Sequence, residues 1–320
     1  MDVRRLNYFL TVAAEGSFSQ AAEVLHMTQP PLSTAIADLE KELGVRLLTR
    51  NARGVAPTAA GFYLVAAGGK LLDDMEGMCQ DLRNMGLGVK GKISVASVPI
   101  LTWTLLPEVL RPFLSSAPGV DVSVSDPPPA QAIDMVMRKE VDLGVIATVS
   151  IDQLRDSYRS KLHVMQVSEL PMLLGLPPRM ADAPQAVHLA DLHEETWLVP
   201  ERSLRIRGLL DMFNSLWEGL HLTPPVVRPV TTLQTAIPLV VAGLGLTLLP
   251  RSLRTMAHPS LIVREIADEV RPMHAAVIWP KDIDPAPAMT ALLNEFERVS
   301  MQQPADASPA ERWSKPPPTE

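Results

Sequence analysis

Gln29, Ser33, Thr34 and Ala37 fall at helical spacing on one polar, small-residue face. Such side chains suit the edges and backbone of a nucleic-acid duplex. A glutamine amide can pair bidentately with adenine, and a threonine offers thymine a methyl group and one hydrogen bond. Ser33 offers a hydroxyl to a phosphate, and Pro30 lies beside Gln29 at the same helix start. Arg50 and Arg53 follow within a short distance and can hold phosphates or enter a narrow minor groove.

No other constellation in the chain suggests bond-making chemistry. Gly243-Leu244-Gly245 lacks dinucleotide-fingerprint spacing and follows a helix pattern instead of preceding one, which reads as a helix C-cap. His188 and His193 have no cysteine or third histidine nearby to complete a metal site. Ser203 has no nucleophile-elbow context, and Glu194-Glu195 reads as a solvated turn. No cofactor, metal or enzymatic activity is expected.

The elements that would position the polar face are short helices. Ser17 and Gln20 have the form of a capping box. Ala21, Ala22, Val24 and Leu25 make one apolar helix, and His26 and Met27 fall in a turn. Thr28 can cap the next helix, with Pro30 and Pro31 in its first turn, where a missing N–H costs nothing. Leu32, Ile36, Leu39 and Leu43 then face inward, and Gly44 ends the helix. A preceding helix, Val3 to Ala14, turns Leu6, Phe9, Leu10 and Ala13 inward. Residues 45–50 and 54–57 read as two short strands of a wing, with Asn51-Ala52-Arg53 at its tip. Together they describe a helix-turn-helix with a wing, the arrangement that lays a recognition helix in the major groove.

These residues carry a resemblance. The runs MDVRRLNYFLTVAAEGSFSQAAEVLHMTQPPLS and LEKELGVRLLTRNARGVAPTAAG resemble the winged helix-turn-helix of LysR-type transcriptional regulators. The likeness is dense over residues 1–58 and extends, more weakly, to about residue 300. The family usually carries Arg where this chain has Thr34, so a weaker guanine preference is expected at that base pair.

Composition sets bounds. At 320 residues with 47% hydrophobic content, the chain has room for two or three domains and a sizeable core. Cys79 is the single cysteine, which excludes an intrachain disulfide and suits a reducing compartment. No apolar run approaches a membrane span. Arg4-Arg5 before LNYFLTVAA mimics an export signal only faintly, because Asn7 and Thr11 break the run. A cytoplasmic location is expected.

The net charge of −7 argues against non-specific nucleic-acid affinity. Its distribution matters more. Three arginines (Arg46, Arg50 and Arg53) flank the wing, and the acids Asp38, Glu40 and Glu42 gather at the far end of the recognition helix.

Thr58 can cap a helix running to about Leu87, roughly 45 Å long. Gly61, Val65, Gly68, Leu72, Met75, Cys79, Leu82 and Gly86 alternate spacings of four and three. That is the seam of a short coiled coil, or a face packed on the helix's own domain. Gly86, Gly88 and Gly91 mark a hinge. Beyond it, strands alternate with helices, which predicts a parallel, doubly wound sheet. Strands are expected at 93–96, 120–125, 143–146, 171–176, 196–199, 226–230, 246–249 and 273–278. Helices are expected at 102–114, 130–139, 205–217, 233–242 and 286–299. The expected division is a DNA-binding domain at 1–58, a linker and dimerisation helix at 59–88, an effector domain at 89–300 and a disordered tail at 301–320.

The resemblance implies an α/β effector domain of two subdomains, like periplasmic solute-binding proteins. Crossovers would lie near His163–Val167 and Ile266–Arg271. Ligands of open α/β sheets bind beyond strand C-termini. That places Ser97, Thr102, Thr148, Arg202 and Thr231 around one cleft, with Val98, Ile100 and Pro129 on its wall. The family often has Ser or Thr where Val98 and Ile100 stand. A compact, partly apolar or aromatic organic acid is the expected ligand. Arg202 and Arg205 are candidate anchors, or ordinary surface arginines.

The resemblance also implies a homodimer or homotetramer on promoter DNA, a small-molecule effector that changes the spacing of the DNA heads, and contact with RNA polymerase. The alternative is a solute-binding or enzymatic α/β protein without specific DNA binding.

Overall fold

The computed structural model describes residues 1–51, 54–203, 205–256 and 258–302. Residues 303–320 of the expected tail and the wing-tip residues Ala52 and Arg53 lie outside them, while Met301 ends the last helix. The chain forms two compact units, Met1–Asn84 and Met85–Glu320.

In the first unit, α1 (Val3–Glu15), α2 (Phe18–Val24) and α3 (Gln29–Leu43) precede a two-stranded antiparallel wing, β1 (Leu48–Asn51) and β2 (Gly54–Pro57). Helix α4 (Ala59–Gly86) completes it. Phe9, Val12, Phe18, Ala21, Leu32, Ile36, Leu39 and Leu47 make a continuous core. Leu43, expected inward, is 42% exposed, because α3 has passed the end of that core.

Local bonds explain the chain reversals. Ser17 Oγ accepts from the Gln20 N–H at 3.4 Å, starting α2. Gly44 closes α3 in the left-handed conformation. Glu40 accepts the N–H groups of Leu47 and Leu48 at 2.7 and 3.0 Å, so the recognition helix itself sets where β1 begins. Thr58 Oγ1 accepts from the Gly61 N–H at 3.0 Å and donates to the Arg46 carbonyl at 2.7 Å, anchoring α4 to the strand approach.

The glycines of α4 divide in role. A Cβ on Gly61 would lie 2.1 Å from the Leu47 carbonyl oxygen, and one on Gly68 2.6 Å from a Leu6 methyl. Val65 also packs on this core. The first half of the expected interchain seam is therefore spent inside its own unit. Beyond it Leu71, Met78, Leu82 and Met85 are exposed and Met75 is half-buried. These five repeat every four and three residues, one position round from the expected Leu72 and Cys79.

The second unit has two sheets. In chain order come β3 (Lys90–Ser97), α5 (Pro99–Thr104), α6 (Leu106–Ser116), β4 (Gly119–Ser125), α7 (Pro129–Met137), β5 (Leu143–Thr148) and α8 (Ile151–Ser157). Next are β6 (Leu162–Leu170), β7 (Met172–Leu176), β8 (Ala186–Val187), β9 (Trp197–Pro200), α9 (Leu209–Gly219) and β10 (Val227–Val230). The series ends with α10 (Leu233–Val241), β11 (Thr247–Pro250), β12 (Ile262–Ile266), β13 (Met273–Pro280) and α11 (Pro287–Met301). The first sheet has the order β4-β3-β5-β13-β6. Strands β4, β3, β5 and β6 share one direction; β13 alone runs against them, antiparallel to both β5 and β6, because it re-enters the sheet from the opposite end.

The second sheet has the order β11-β7-β12-β8, and β9 with β10 forms a parallel pair that bridges to Leu246. The sheets are therefore mixed, not wholly parallel. The chain first crosses between sheets at Pro171, not within 163–167, since that stretch pairs with β13. It returns after β12, at 267–272. The expected helix 102–114 is broken at Leu105, where Pro107 removes an N–H from a continuous helix. The expected helix 205–217 starts only at Leu209, because residues 205–207 are bound elsewhere, as described next.

Candidate functional site

The exposed end of α3 is built for a groove. Gln29, Pro30 and Thr34 are exposed and Ser33 is half-buried. Thr28 occupies the N-cap but makes no side-chain capping bond. Pro30 and Pro31 withhold two of the N–H groups a helix start usually shows. Thr34 Oγ1 donates to the Pro30 carbonyl at 3.1 Å, which occupies its hydroxyl hydrogen and leaves its methyl carbon unengaged.

Arg50 is held in place before any partner arrives. Its guanidinium donates to Ser33 Oγ at 3.4 Å and lies 5.3 Å from the Phe18 ring centroid. Arg50 and Ser33 thus form one constellation, joining wing to recognition helix. Arg53 lies outside the described residues.

Three of the unit's acids are occupied away from this face. Glu42 binds the Met1 α-amino group and Arg5, which hold its carboxyl below the ordinary range. Asp2 caps α1, and Glu40 bonds β1.

In the second unit, a cavity of about 400 Å³ lies among Thr148, Ser150, Gln153, Leu154, Ser157, Arg202, Ser203, Arg205, Ile206, Arg207 and Asp211. Its frame follows from the sequence. Ser150 caps α8 by accepting from the Gln153 N–H. Trp197, Phe213 and Trp217 stack edge to face with centroids 5.2–6.0 Å apart, packing α9 on β9. The connection from β9 to α9 is thereby fixed at both ends.

Between those ends, the connection reaches over to the first sheet. The Arg207 carbonyl accepts from the Val149 N–H at 3.0 Å and from Thr148 Oγ1 at 3.3 Å. Tyr158 Oη donates to the Arg205 carbonyl at 3.0 Å, and the Arg205 guanidinium pairs with Asp134 at 3.2 Å. Arg202 pairs with the buried Asp211 at 3.3 Å, whose other oxygen accepts from the Gly208 N–H. Arg207 has no side-chain partner among the described residues.

Of the residues expected at a ligand cleft, Thr148 and Arg202 line this cavity and the others do not. Ser97, Val98 and Ile100 are buried, at 0%, 3% and 7% exposure, and pack in the core of the first sheet, away from this cavity's lining. Thr102 Oγ1 is bonded to the Ser97 and Val98 carbonyls. Pro129 opens α7 half-buried, and Thr231 is exposed just before α10. Ser150, Gln153, Ser157 and Arg207 were not anticipated. The repeat of Arg at 202, 205 and 207 was visible, but not which of the three lacks a carboxylate.

The remaining motifs are structural. Gly243 caps α10 with φ +83°, and a Cβ on Gly245 would lie 2.6 Å from the Thr196 carbonyl oxygen. His188 pairs with Asp268 at 3.1 Å, and Glu195 pairs with Arg179.

Comparison with known proteins agrees with this geometry. The LysR substrate binding domain family matches residues 87–300. The bacterial regulatory helix-turn-helix protein, lysR family, matches residues 3–62. The chain is 28% identical over 301 residues to the HTH-type transcriptional regulator XapR of Escherichia coli (strain K12), covering 91% of this chain and 96% of that one. It is 30% identical over 258 residues to the probable cat1 operon transcriptional activator of Acinetobacter lwoffii, covering 81% and 83%. Among solved structures, full-length CbnR complexed with its target DNA shares the fold with a TM-score of 0.81, at 23% identity and with coverage of 94% and 100%. With both parts of the chain so matched, this protein belongs to the LysR family of bacterial DNA-binding transcriptional regulators and carries that family's effector-binding domain.

Proposed function

We propose that this regulator is a cytoplasmic homodimer or homotetramer that reads promoter DNA with Gln29, Pro30, Ser33, Thr34, Arg50 and Arg53 and responds to a compact organic acid. The observation that carries the ligand reading is the cavity beneath residues 205–207, where Arg207 is a cation without a carboxylate partner among the described residues. Thr148 and Arg202 belong to its wall. The domains on this reading are 1–58 for DNA, 59–88 for the linker and 89–300 for the effector.

The connection between β9 and α9 supports a route for the signal. It starts and ends on the second sheet's elements yet is bonded to Thr148, Val149, Asp134 and Tyr158 of the first. A ligand beneath it alters a bond set that both subdomains share, and so biases their relative position. Subunits associate through Leu71, Met75, Met78, Leu82 and Met85 of α4, whose exposed apolar surface invites a partner helix. Contact with RNA polymerase completes the reading.

The test is selection of binding sites from the organism's own DNA by the full-length protein, then titration of that complex with organic acids. A selected palindromic site whose occupancy shifts with one acid supports the proposal. Sites bound with no sequence preference, or an occupancy that no acid changes, refute it.

A further inference from the structure

We infer that the effector is a small hydroxylated monoanion, of the hydroxy-acid or sugar-acid class, whose carboxylate is held by Arg207. This rests on the cavity's being the effector site.

Charge decides the first part. Three guanidiniums line the cavity. Arg202 is matched by Asp211 and Arg205 by Asp134, so two of the three positive charges are already met. Arg207 leaves a surplus of one, which suits a ligand carrying one negative charge. A dianion would have to draw Arg202 or Arg205 off its carboxylate, and Asp211 is only 8% exposed and would be stranded.

Hydrogen-bonding capacity decides the second part. Thr148 Oγ1 is spent on the Ser150 and Arg207 carbonyls. Ser150 accepts from the Gln153 N–H but keeps its own hydrogen to give, and Ser203 accepts from the Arg205 N–H in the same way. The side chains of Gln153 and Ser157 make no bond among the described residues. What the wall holds in reserve is therefore the Ser150, Ser157 and Ser203 hydroxyls, each able to donate and to accept, and the Gln153 amide. A ligand rich in hydroxyls, which do both, satisfies it.

The wall is poor in apolar surface. Among the described residues Leu154 and Ile206 are its aliphatic members, and they are 3% and 7% exposed in the whole structure. Among the described residues no aromatic ring lines it. An aromatic acid, one form of the partly apolar or aromatic acid expected with Val98 and Ile100 on the wall, finds neither flat apolar wall nor stacking partner among the described residues. The volume of about 400 Å³ lies at the small end of ligand sites. That admits a molecule of about sugar size.

The experiment uses the full-length protein and calorimetric titration with lactate, D-gluconate and D-galacturonate, against sorbitol and benzoate. At least one hydroxy acid should bind about tenfold or more tightly than either control. Arg207→Met should weaken that acid about tenfold or more, and Ser157→Val about threefold or more. Both variants should keep the wild-type melting temperature and ligand-free DNA affinity, since neither side chain bonds to the protein. Benzoate binding most tightly, and losing affinity in Arg207→Met, overturns the ligand class while leaving the site in place. Hydroxy-acid binding that Arg207→Met and Ser157→Val leave unchanged overturns the site itself. Binding of none of the three acids up to about 10 mM overturns the class.

Discussion

Thr34 tests the DNA-reading face most sharply, because the structure assigns different work to its two branches. The hydroxyl donates to the Pro30 carbonyl at 3.1 Å, inside the helix's own backbone. The methyl is the part left for a base. Thr34→Val keeps the methyl and removes only the hydroxyl, and the two residues have similar helix propensity. It should leave operator affinity within about 0.5 kcal/mol of wild type, a factor of roughly two. Thr34→Ala removes the methyl as well. At about 0.8 kcal/mol per buried carbon of this size, affinity should fall roughly fourfold. That loss should appear only where the facing base is thymine. Replacing that thymine by deoxyuridine should reproduce it, and the two losses should not add, since each deletes one side of the same contact.

Thr34→Arg adds a group that can grip guanine bidentately, worth about 1–3 kcal/mol of base discrimination, or roughly 5- to 140-fold. Site selection should then move toward guanine at one base pair. The assay is fluorescence anisotropy at fixed salt with thymine, deoxyuridine and guanine operators. The reasoning fails if Thr34→Val costs as much as Thr34→Ala, because the hydroxyl would then be reading the base. It also fails if the deoxyuridine and Thr34→Ala losses add in full.

Arg50→Ala should weaken operator binding and reduce the slope of log affinity against log salt by about 0.9, the value of one phosphate contact; an unchanged slope in anisotropy titrations would place the guanidinium off the DNA. Leu82→Glu should give monomers by sedimentation, whereas Cys79→Ser should leave assembly intact; the opposite pattern would restore the seam through Cys79. Gly61→Ala should cost about 1–3 kcal/mol in chemical denaturation, because its Cβ meets the Leu47 carbonyl, while Gly77→Ala, with nothing within 4 Å, should stabilise by about 0.5–1 kcal/mol. Burial disfavours the Asp268 carboxylate, but the Leu189 N–H and His188 outweigh that and lower its pKa. Its contribution is complete above the ordinary aspartate range and lost as pH falls through the lowered value, so stability curves of wild type and Asp268→Asn should converge below about pH 3.9.

The first unit was legible because its signals are local. Ser17, Gly44 and Thr58 act on N–H groups or dihedrals within a few residues of themselves, and each lies at the helix end its type announces. The same reasoning stopped at Thr28, whose position is the N-cap but whose side chain makes no bond there. The exposed apolar face of α4 was legible only to within one residue. Leu71 and Leu72 are equally apolar, and the choice between them depends on where Leu6 of α1 packs against Gly68.

In the second unit the strands with continuous apolar runs, such as Leu143–Thr148, were plain. Strand Leu162–Leu170 was not, because His163, Gln166 and Glu169 interrupt it and its pairing partner, β13, lies more than a hundred residues on. The short helix Ile151–Ser157 escaped for lack of length to show a period. Strand Ile262–Ile266 escaped because Arg264 and Glu265 break it, though both are held by partners on neighbouring segments.

The cavity among Arg202, Arg205 and Arg207 fails to show in the sequence for a further reason. Nothing distinguishes Arg207 from Arg202 or Arg205 as a residue type. Its availability is set by Asp211 on α9 and Asp134 on α7, which claim the other two. The charge the site offers is thus a difference between near neighbours and not the property of one residue. Removing Asp134 would free a second guanidinium and suit a dianion, and removing Arg207 would suit a neutral ligand. Either change lies at the surface of a frame held by Trp197, Phe213 and Trp217 and by the Thr148 and Tyr158 hydroxyls. A change of ligand charge therefore leaves the folding core of this domain untouched, and the bonds to the Arg205 and Arg207 carbonyls that join the two sheets survive it, because they use backbone atoms alone on that side.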